Sequence, residues 1–259
     1  MGVIEETFDS YANPYEEKFN RNPIGQYQRR LVQAELSAYL EGLTTILDIG
    51  CGPGSDFGFY KSKGLQVEAI DISEGMAEVA RKRAKELKLE ANITVTSLLN
   101  FRPEKRFDLI IMNFGVINAI EDKAGALQRL KEILSENGTL FIVSMPPMHM
   151  FSIMQSLASL RLRSAYKRLV KREAVLHNGF KILYYKGRDF AEYFKIIKKV
   201  NLCSILPTPD QYQQSSIVRA IANASMKIDE GIGVRAPDFL GGDHICYIMK
   251  HKDNIKIDV

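Results

Sequence analysis

Cysteine is scarce in this chain: Cys51, Cys203 and Cys246 are the only three among 259 residues. They are odd in number, far apart and in no metal-ligand spacing. That argues against a disulfide scaffold and a structural zinc site, and it fits a reducing, cytoplasmic setting with no bound metal. An apolar leader is missing as well. The first ten residues, MGVIEETFDS, carry acids early and do not resemble a secretory signal. Gly2 is followed by Glu6 and Thr7, a poor match to the myristoylation pattern. Long uncharged runs are almost absent. The exception covers 137–160, long enough to span a bilayer. Pro146-Pro147 breaks it, and Gly138, Ser144, His149, Ser152, Gln155, Ser156 and Ser159 dilute it. It reads as a buried strand, a sharp break and a helix.

What remains is an ordinary globular composition, with 46% hydrophobic and 25% charged residues. That excludes a disordered chain and leaves enough apolar matter for a core. The length suits one large domain, or one domain with an insertion. The net charge of +4 is unevenly spread. Residues 145–200 hold 12 Lys and Arg against 3 Asp and Glu, so that segment carries +9 and the rest −5. A nucleic-acid footprint over the whole protein would be more even or more basic. No internal repeat or low-complexity tract is present.

Strand-like and helix-like segments alternate through the first 145 residues. Apolar positions from Gln26 to Leu40 recur at helical spacing, and Gly42 stops that helix. Thr44–Ile49 is a short β-branched run. Leu65–Ile72 is a second strand, with Ser73 as N-cap of a helix over 74–89. Ile93–Thr96 is a third strand, and Phe107–Asn113 a fourth, apolar enough to be buried on both faces. A helix over 124–134 stops at Asn137-Gly138, and Thr139–Ser144 is a fifth strand. This alternation builds a parallel sheet with helices on both faces. After Pro146 the rhythm changes. A helix over 148–172 is apolar, then basic. Asn178-Gly179 joins two strand-like runs, Ala174–His177 and Phe180–Tyr185, as a hairpin. A helix at 188–195, a strand at 199–206 ended by Pro207 and Pro209, a helix at 211–227 and a strand at 244–249 complete the chain.

The sharpest motif is LDIGCGPG, Leu47 to Gly54. A buried strand runs straight into a turn in which glycines let backbone approach a ligand closely. About 20 residues on, Asp71 ends the second strand, where an acid can accept both ribose hydroxyls of an adenosine. A dinucleotide fingerprint would need G-x-G-x-x-G or Ala. Here position 55 is Ser, and Pro53 removes an N–H that a pyrophosphate would use.

The pattern D-x-G-x-G-x-G instead resembles motif I of class I S-adenosylmethionine-dependent methyltransferases, with Asp48 opening it and Gly50, Cys51, Gly52 and Gly54 forming the turn. The resemblance continues in order. VEAIDISEGMAEVARKRA is similar to the second strand and its helix, which puts Asp71 and Ile72 at the ribose and Met76 near the adenine. TVTSLLNF lies where the family commonly has an adenine-binding acid. This chain has none there, which leaves Ser97 and the Leu98 backbone. RFDLIIMNFGVINAIED resembles the fourth unit and puts Asn113 and Phe114 beside the methionine moiety. LQRLKEILSENGTLFIVS resembles the fifth. FDSYANPYEEKFNRNPIGQYQRR is similar to a cofactor lid, which implies Tyr11 or Tyr15 over the sulfonium and Arg29 on the cofactor carboxylate. Asp56 is a candidate for the cofactor amino group. No N-P-P-Y or D-P-P-Y sequence follows the fourth strand, where Asn113-Phe114-Gly115-Val116 stands, which argues against methylation of macromolecular amide or base amino groups.

The resemblance implies a Rossmann-like α/β fold: a doubly wound, seven-stranded, mostly parallel sheet whose last strand is antiparallel. Residues 1–42 would form the lid, 43–145 the cofactor core, 146–238 a substrate-binding α+β insertion that includes the strand near 199–206, and 239–259 the last strand and tail. Because that strand would start at the carboxyl edge, His244 after Asp243 is a candidate base, and so is His149 just past the fifth strand. His177 and His251 read as solvent-side. Tyr184 and Tyr185 face opposite ways on a strand; one faces the pocket, and Tyr184 joins the catalytic candidates. The basic run 161–172 has three readings: a solvated helix face, a site for an acidic substrate or anionic membrane surface, or an RNA contact. The implied function is methyl transfer from S-adenosylmethionine, leaving S-adenosylhomocysteine, to oxygen or nitrogen of a small, partly apolar molecule. The competing readings are an RNA or protein methyltransferase and a non-catalytic cofactor-binding protein.

Overall fold

A seven-stranded sheet runs through the computed structural model, which describes residue 8 and residues 21–158, 166–175, 180–232 and 241–252. Helix α1 spans Pro23–Ser37. Its N-cap Asn22 accepts from the Ile24 N–H, and Pro23 sits in the first turn, where no N–H partner is needed. Then β1 (Thr45–Ile49), α2 (Phe57–Ser62), β2 (Gln66–Asp71), α3 (Glu74–Leu87), β3 (Ala91–Val95), β4 (Phe107–Met112), α4 (Lys123–Ile133) and β5 (Leu134–Ser144) alternate. Ser73 caps α3 by accepting from the Met76 N–H, and Asp122 caps α4 by accepting from the Gly125 N–H. Beyond β5 lie α5 (Met150–Ala158), the hairpin β6 (Glu173–Val175) and β7 (Lys181–Leu183), α6 (Gly187–Ala191), β8 (Phe194–Leu202), α7 (Pro209–Gln214), α8 (Ser216–Ile232) and β9 (His244–His251).

The order across the sheet is β3-β2-β1-β4-β5-β9-β8. Pairings are parallel from β3 to β5, and β9 runs antiparallel to both β5 and β8. The expected fold is therefore the observed one. β1 lies between β2 and β4, so the chain reverses its direction of winding there. The carboxyl ends of such strands form a ligand crevice.

Period-two alternation divides the strands between two cores. Leu109, Ile111, Phe141, Val143, Cys246 and Ile248 face α1, α2 and α3. Ile110, Met112, Leu140, Ile142, Tyr247 and Met249 face α4 and α6. A third, smaller cluster of Ile24, Tyr27, Cys203, Leu206, Tyr212 and Ala222 joins α1 to α7 and α8.

Four boundaries differ from the sequence reading. α4 ends at Ile133 and passes at once into β5, because Leu134 is already extended and pairs with Phe107. Gly138 is therefore not a helix stop. It lies inside the irregular start of β5, where a Cβ would sit 2.9 Å from the Ser135 carbonyl and 3.0 Å from that of Phe107. β8 starts at Phe194, because it pairs along the whole of β9 up to Phe194↔His251. The helix expected over 188–195 shrinks accordingly to Gly187–Ala191. The helix expected over 211–227 is two, split where Ser215 becomes extended. The uncharged stretch at 137–160 is strand, Pro-Pro break and α5, and no helix among the described residues is long and apolar enough to cross a membrane.

Candidate functional site

The turn after β1 is clasped to the end of β2. The Gly50 and Cys51 amides donate to the Ile70 carbonyl at 2.7 and 3.1 Å. The Gly52 amide donates to Asp71 Oδ2 at 2.8 Å, and the Ser73 amide to Asp71 Oδ1 at 3.0 Å. Gly50 has φ +70°, and a Cβ there would meet Val116 Cγ2 at 2.5 Å. Gly52, at φ +54°, has nothing within 4 Å of the place a Cβ would take, so its flank is open to a ligand. Gly54 closes the turn against the Phe57 ring. Ile72 is half-buried, and Met76 is buried under the start of α3. Cys51 is buried, and burial pushes its thiol well up, so it is a packing residue rather than a nucleophile.

Asp48 lies beneath the turn, only 4% exposed. The Tyr60 hydroxyl donates to its Oδ2 at 3.2 Å. Burial, then the neighbouring Asp56 and Asp71 charges, push this carboxyl up to about 8 against the opposing pull of Tyr60 and Arg29. It supports the turn from below, held by the Tyr60 hydroxyl.

Asp56 gathers three side chains. Arg29 Nη1 donates to it at 2.6 Å, Gln33 Nε2 at 2.8 Å and Asn113 Nδ2 at 3.1 Å. Arg29 and Asp56, expected to hold the carboxylate and the amino group of the cofactor, here hold each other. The Arg29 guanidinium also lies 4.7 Å from the centre of the Phe114 ring. Phe114 has φ +49°, a strained value for an aromatic residue at the end of β4. Asn113 is buried, and its Oδ1 has no hydrogen-bond partner. Ser97 Oγ accepts from the Asn100 amide at 3.2 Å in a local turn, and Leu98 is buried in the core. Tyr11 and Tyr15 lie outside the described residues, as does His177.

The histidines separate. His149 is fully buried, with Nε2 2.9 Å from the Leu206 carbonyl and Nδ1 2.7 Å from Ser152 Oγ. A carbonyl only accepts, so Nε2 carries the proton and Nδ1 accepts from Ser152. Burial lowers its pKa. Both nitrogens are spent on structure, which corrects its reading as a base. His251 is half-buried, its Nε2 3.1 Å from the Leu134 carbonyl, rather than solvent-side. His244 opens β9 with Nδ1 3.2 Å from Asp243 Oδ2, out of line for a hydrogen bond, and stands edge-on to Phe114 at 5.8 Å between ring centres. Gln28 Nε2 donates to the same Asp243 oxygen at 2.7 Å. Burial alone would raise Asp243; His244 and, less strongly, His149 and Gln28 outweigh it and hold the carboxyl well below the usual range.

Tyr184 and Tyr185 are both buried. Tyr185 stacks on Phe190 at 5.1 Å, with Lys123 Nζ 4.3 Å from its ring centre. Tyr184 lies under Arg168, 4.7 Å from its ring centre, and near enough to Asp243 for that charge to raise its phenol after burial does so. Of the pair, Tyr184 is the one on the histidine side. Arg168 donates to the Pro147 and Pro146 carbonyls at 3.0 and 3.2 Å, and Arg172 grips both oxygens of Asp189 at 2.8 and 2.6 Å. Two arginines of the basic run therefore fasten the insertion rather than face solvent.

Gln28, Gln33 and Asn118 do not stand out in the sequence. Gln28 is 2% exposed on the buried side of α1, and a glutamine at an apolar helical position is the available signal. Asn118 clips the insertion to the core. It donates to the Met145 and Leu183 carbonyls at 2.9 and 2.6 Å and accepts from the Met145 amide at 2.8 Å. Nothing in its local sequence announces that.

Residues 46–138 match a family model described as a methyltransferase domain. The chain is 32% identical over 100 residues to the ubiquinone biosynthesis O-methyltransferase of Pelagibacter ubique, covering 39% of this chain and 41% of that protein. It is 35% identical over 151 residues to the aklanonic acid methyltransferase DauC of a Streptomyces species, covering 54% and 64%. It thus spans less than two thirds of the length of these curated relatives. Its fold is similar to that of the Burkholderia thailandensis 1,6-didemethyltoxoflavin-N1-methyltransferase, solved with 1,6-didemethyltoxoflavin and S-adenosylhomocysteine. The TM-score is 0.64 at 16% identity, over 97% of this chain and 88% of that one.

Proposed function

We propose that this chain, whose residues 46–138 match a methyltransferase domain model, moves a methyl group from S-adenosylmethionine to an oxygen or nitrogen of a small molecule. The observation that carries this reading is the β1 turn clasped to Asp71 at the point where the sheet reverses its winding. The residues present fit the cofactor. Asp71, its carboxylate fixed by the Gly52 and Ser73 amides at the end of β2, stands where an acid can accept ribose hydroxyls. The open flank of Gly52 admits the ligand, and the unpartnered Asn113 Oδ1 suits the ammonium of its amino-acid end.

When bound, that cofactor supplies a methyl group already activated on a sulfonium. The protein's share is alignment and the exclusion of water. Phe114, with its strained backbone, presents its ring at the end of β4 beside Arg29. Asp56, Gln33 and Arg29 tie α1 across the turn. The ubiquinone-biosynthesis and aklanonic acid methyltransferases among the relatives favour a small acceptor. The engagement of Arg168 and Arg172 within the fold takes two cations from any RNA-binding use of the basic run. The cytoplasmic setting rests on three buried free thiols.

Thermal unfolding with and without S-adenosylhomocysteine tests the reading. A ligand at about 100 times its dissociation constant adds about 2.7 kcal/mol. For a chain of this length that raises the midpoint by about 5–10 °C. The expected result is such a rise, absent with NAD. A folded sample that responds to neither ligand refutes the proposal.

A further inference from the structure

Polar atoms without partners gather at one part of the sheet. Asn113 follows β4, Ser144 ends β5, His244 starts β9 and Ser204 lies just past β8. These are four adjacent strands, and each places its residue at the same carboxyl edge, with Ser144 registered to Ile245 and Leu202 to His244. Asn113 Oδ1, Ser144 Oγ and Ser204 Oγ are buried without a hydrogen bond, and His244 Nδ1 meets only the Asp243 carboxylate, at 3.2 Å. Buried polar atoms are ordinarily paired, so such a row points to a ligand-facing edge.

His244 is the one member of the row whose side chain has a ring nitrogen able to take up a proton. Its side chain keeps 11% of its surface. Nδ1 faces Asp243, and Nε2, at the other end of the ring, has no hydrogen-bond partner among the described residues. Asp243 is itself fixed from behind by Gln28. The ring meets Phe114 edge-on while Arg29 lies over that same aromatic ring. His244 therefore stands one ring away from the residues assigned to the cofactor's methionine end.

We propose that His244 is the general base for the methyl acceptor, that Asp243 positions it, and that the acceptor attacks through a hydroxyl oxygen. This rests on the methyl-transfer reading above. In the step, Nε2 takes the hydroxyl proton, the acceptor oxygen forms a bond to the methyl carbon, and the methyl–sulfur bond breaks with its electron pair left on sulfur. The positive charge that begins on the sulfonium ends on the imidazole, beside the buried Asp243 carboxylate. An acceptor that must shed a proton gains from this arrangement; a neutral amine, which keeps its protons on attack, does not need it.

The experiment uses the full chain, a small-molecule extract and S-adenosylmethionine labelled with 13C in its methyl group. NMR of the product separates a methyl on oxygen from one on nitrogen or carbon. The expected product carries it on oxygen. His244→Gln should lower kcat about 100-fold or more while keeping the wild-type midpoint rise with S-adenosylhomocysteine. Asp243→Asn should lower kcat with little change in KM and the same rise. Diethyl pyrocarbonate, which acylates accessible imidazole, should modify His244 and spare His149, read by peptide mass without any turnover. A methyl on nitrogen, a His244→Gln enzyme within about threefold of wild type, or an unmodified His244 overturns the proposal. If the wild-type midpoint does not respond to S-adenosylhomocysteine, or no labelled product forms, the methyl-transfer reading itself fails, and this inference with it.

Discussion

The two ends of the carboxyl edge treat their buried polar groups in opposite ways. At β1 and β2 every acid is engaged. Asp48 receives Tyr60, Asp71 receives two backbone amides, and Asp56 receives Arg29, Gln33 and Asn113. At β5, β9 and β8 the hydroxyls of Ser144 and Ser204 and one nitrogen of His244 have no hydrogen bond. A cradle for one invariant ligand can be fully built in advance, because its hydrogen bonds position backbone that the ligand then meets. A site for an acceptor must leave capacity for groups that the acceptor brings. On the proposed reading, the difference in satisfaction sets a cofactor half apart from an acceptor half, with the open Asn113 Oδ1 at their boundary.

The largest test of that division is Gly50→Ala. The added methyl would press on Val116 at a positive φ, so it should cost about 3 kcal/mol and abolish the midpoint rise with S-adenosylhomocysteine. If the rise survives, the prebuilt half is not the cofactor half. His149→Ala comes next. It strands the Leu206 carbonyl and the Ser152 hydroxyl, and should cost about 2 kcal/mol in urea unfolding while leaving that rise intact. Arg172→Ala breaks a half-buried ion pair on the insertion, in which one guanidinium nitrogen meets both Asp189 oxygens, and should cost about 1 kcal/mol in the same assay, again with the rise intact. The smallest effect at neutral pH belongs to Asp48→Asn, because an amide replaces a carboxyl already neutral there. Its signature is in the pH dependence. A carboxyl raised to about 8 in the fold contributes stability that is whole below its unfolded value near 4 and is lost as pH rises through about 8. Wild type should therefore lose more of its melting midpoint between about pH 5 and 9 than Asp48→Asn does. Parallel slopes would show that Asp48 is ionised.

The cofactor half is also the legible half. Its signals are local: a glycine turn after a β-branched run, an acid at the end of the next strand, a serine cap. Each is written within a few residues, so the order of residues alone is enough to pair the glycine turn with Asp71. The acceptor half is built from contacts across the chain. His149 reads as a lone polar residue until Leu206 and Ser152 are brought to it. The basic run reads as a charged surface until Arg168 finds the Pro146 and Pro147 carbonyls and Arg172 finds Asp189. β8 starts five residues earlier than its apolar pattern suggests, because β9 supplies backbone partners for the lysine-rich segment before it. Gly138 passes for a helix stop for the same reason: the carbonyls that crowd it belong to a strand pairing rather than a helix end.

Helix α1 touches both halves, and its contacts have a consequence for the order in which the molecule is made. Asn22 donates to the Pro209 carbonyl, Tyr27 to Asp229 and Gln28 to Asp243, across 187, 202 and 215 residues of chain. During synthesis this helix emerges before any of those partners exists. A pairing so distant must wait for the whole sheet, since loop closure over such a span comes late and slowly. A helix translated this early is thus among the last to dock. A nascent chain stopped before β9 would hold a finished glycine turn with Gln28 still facing water.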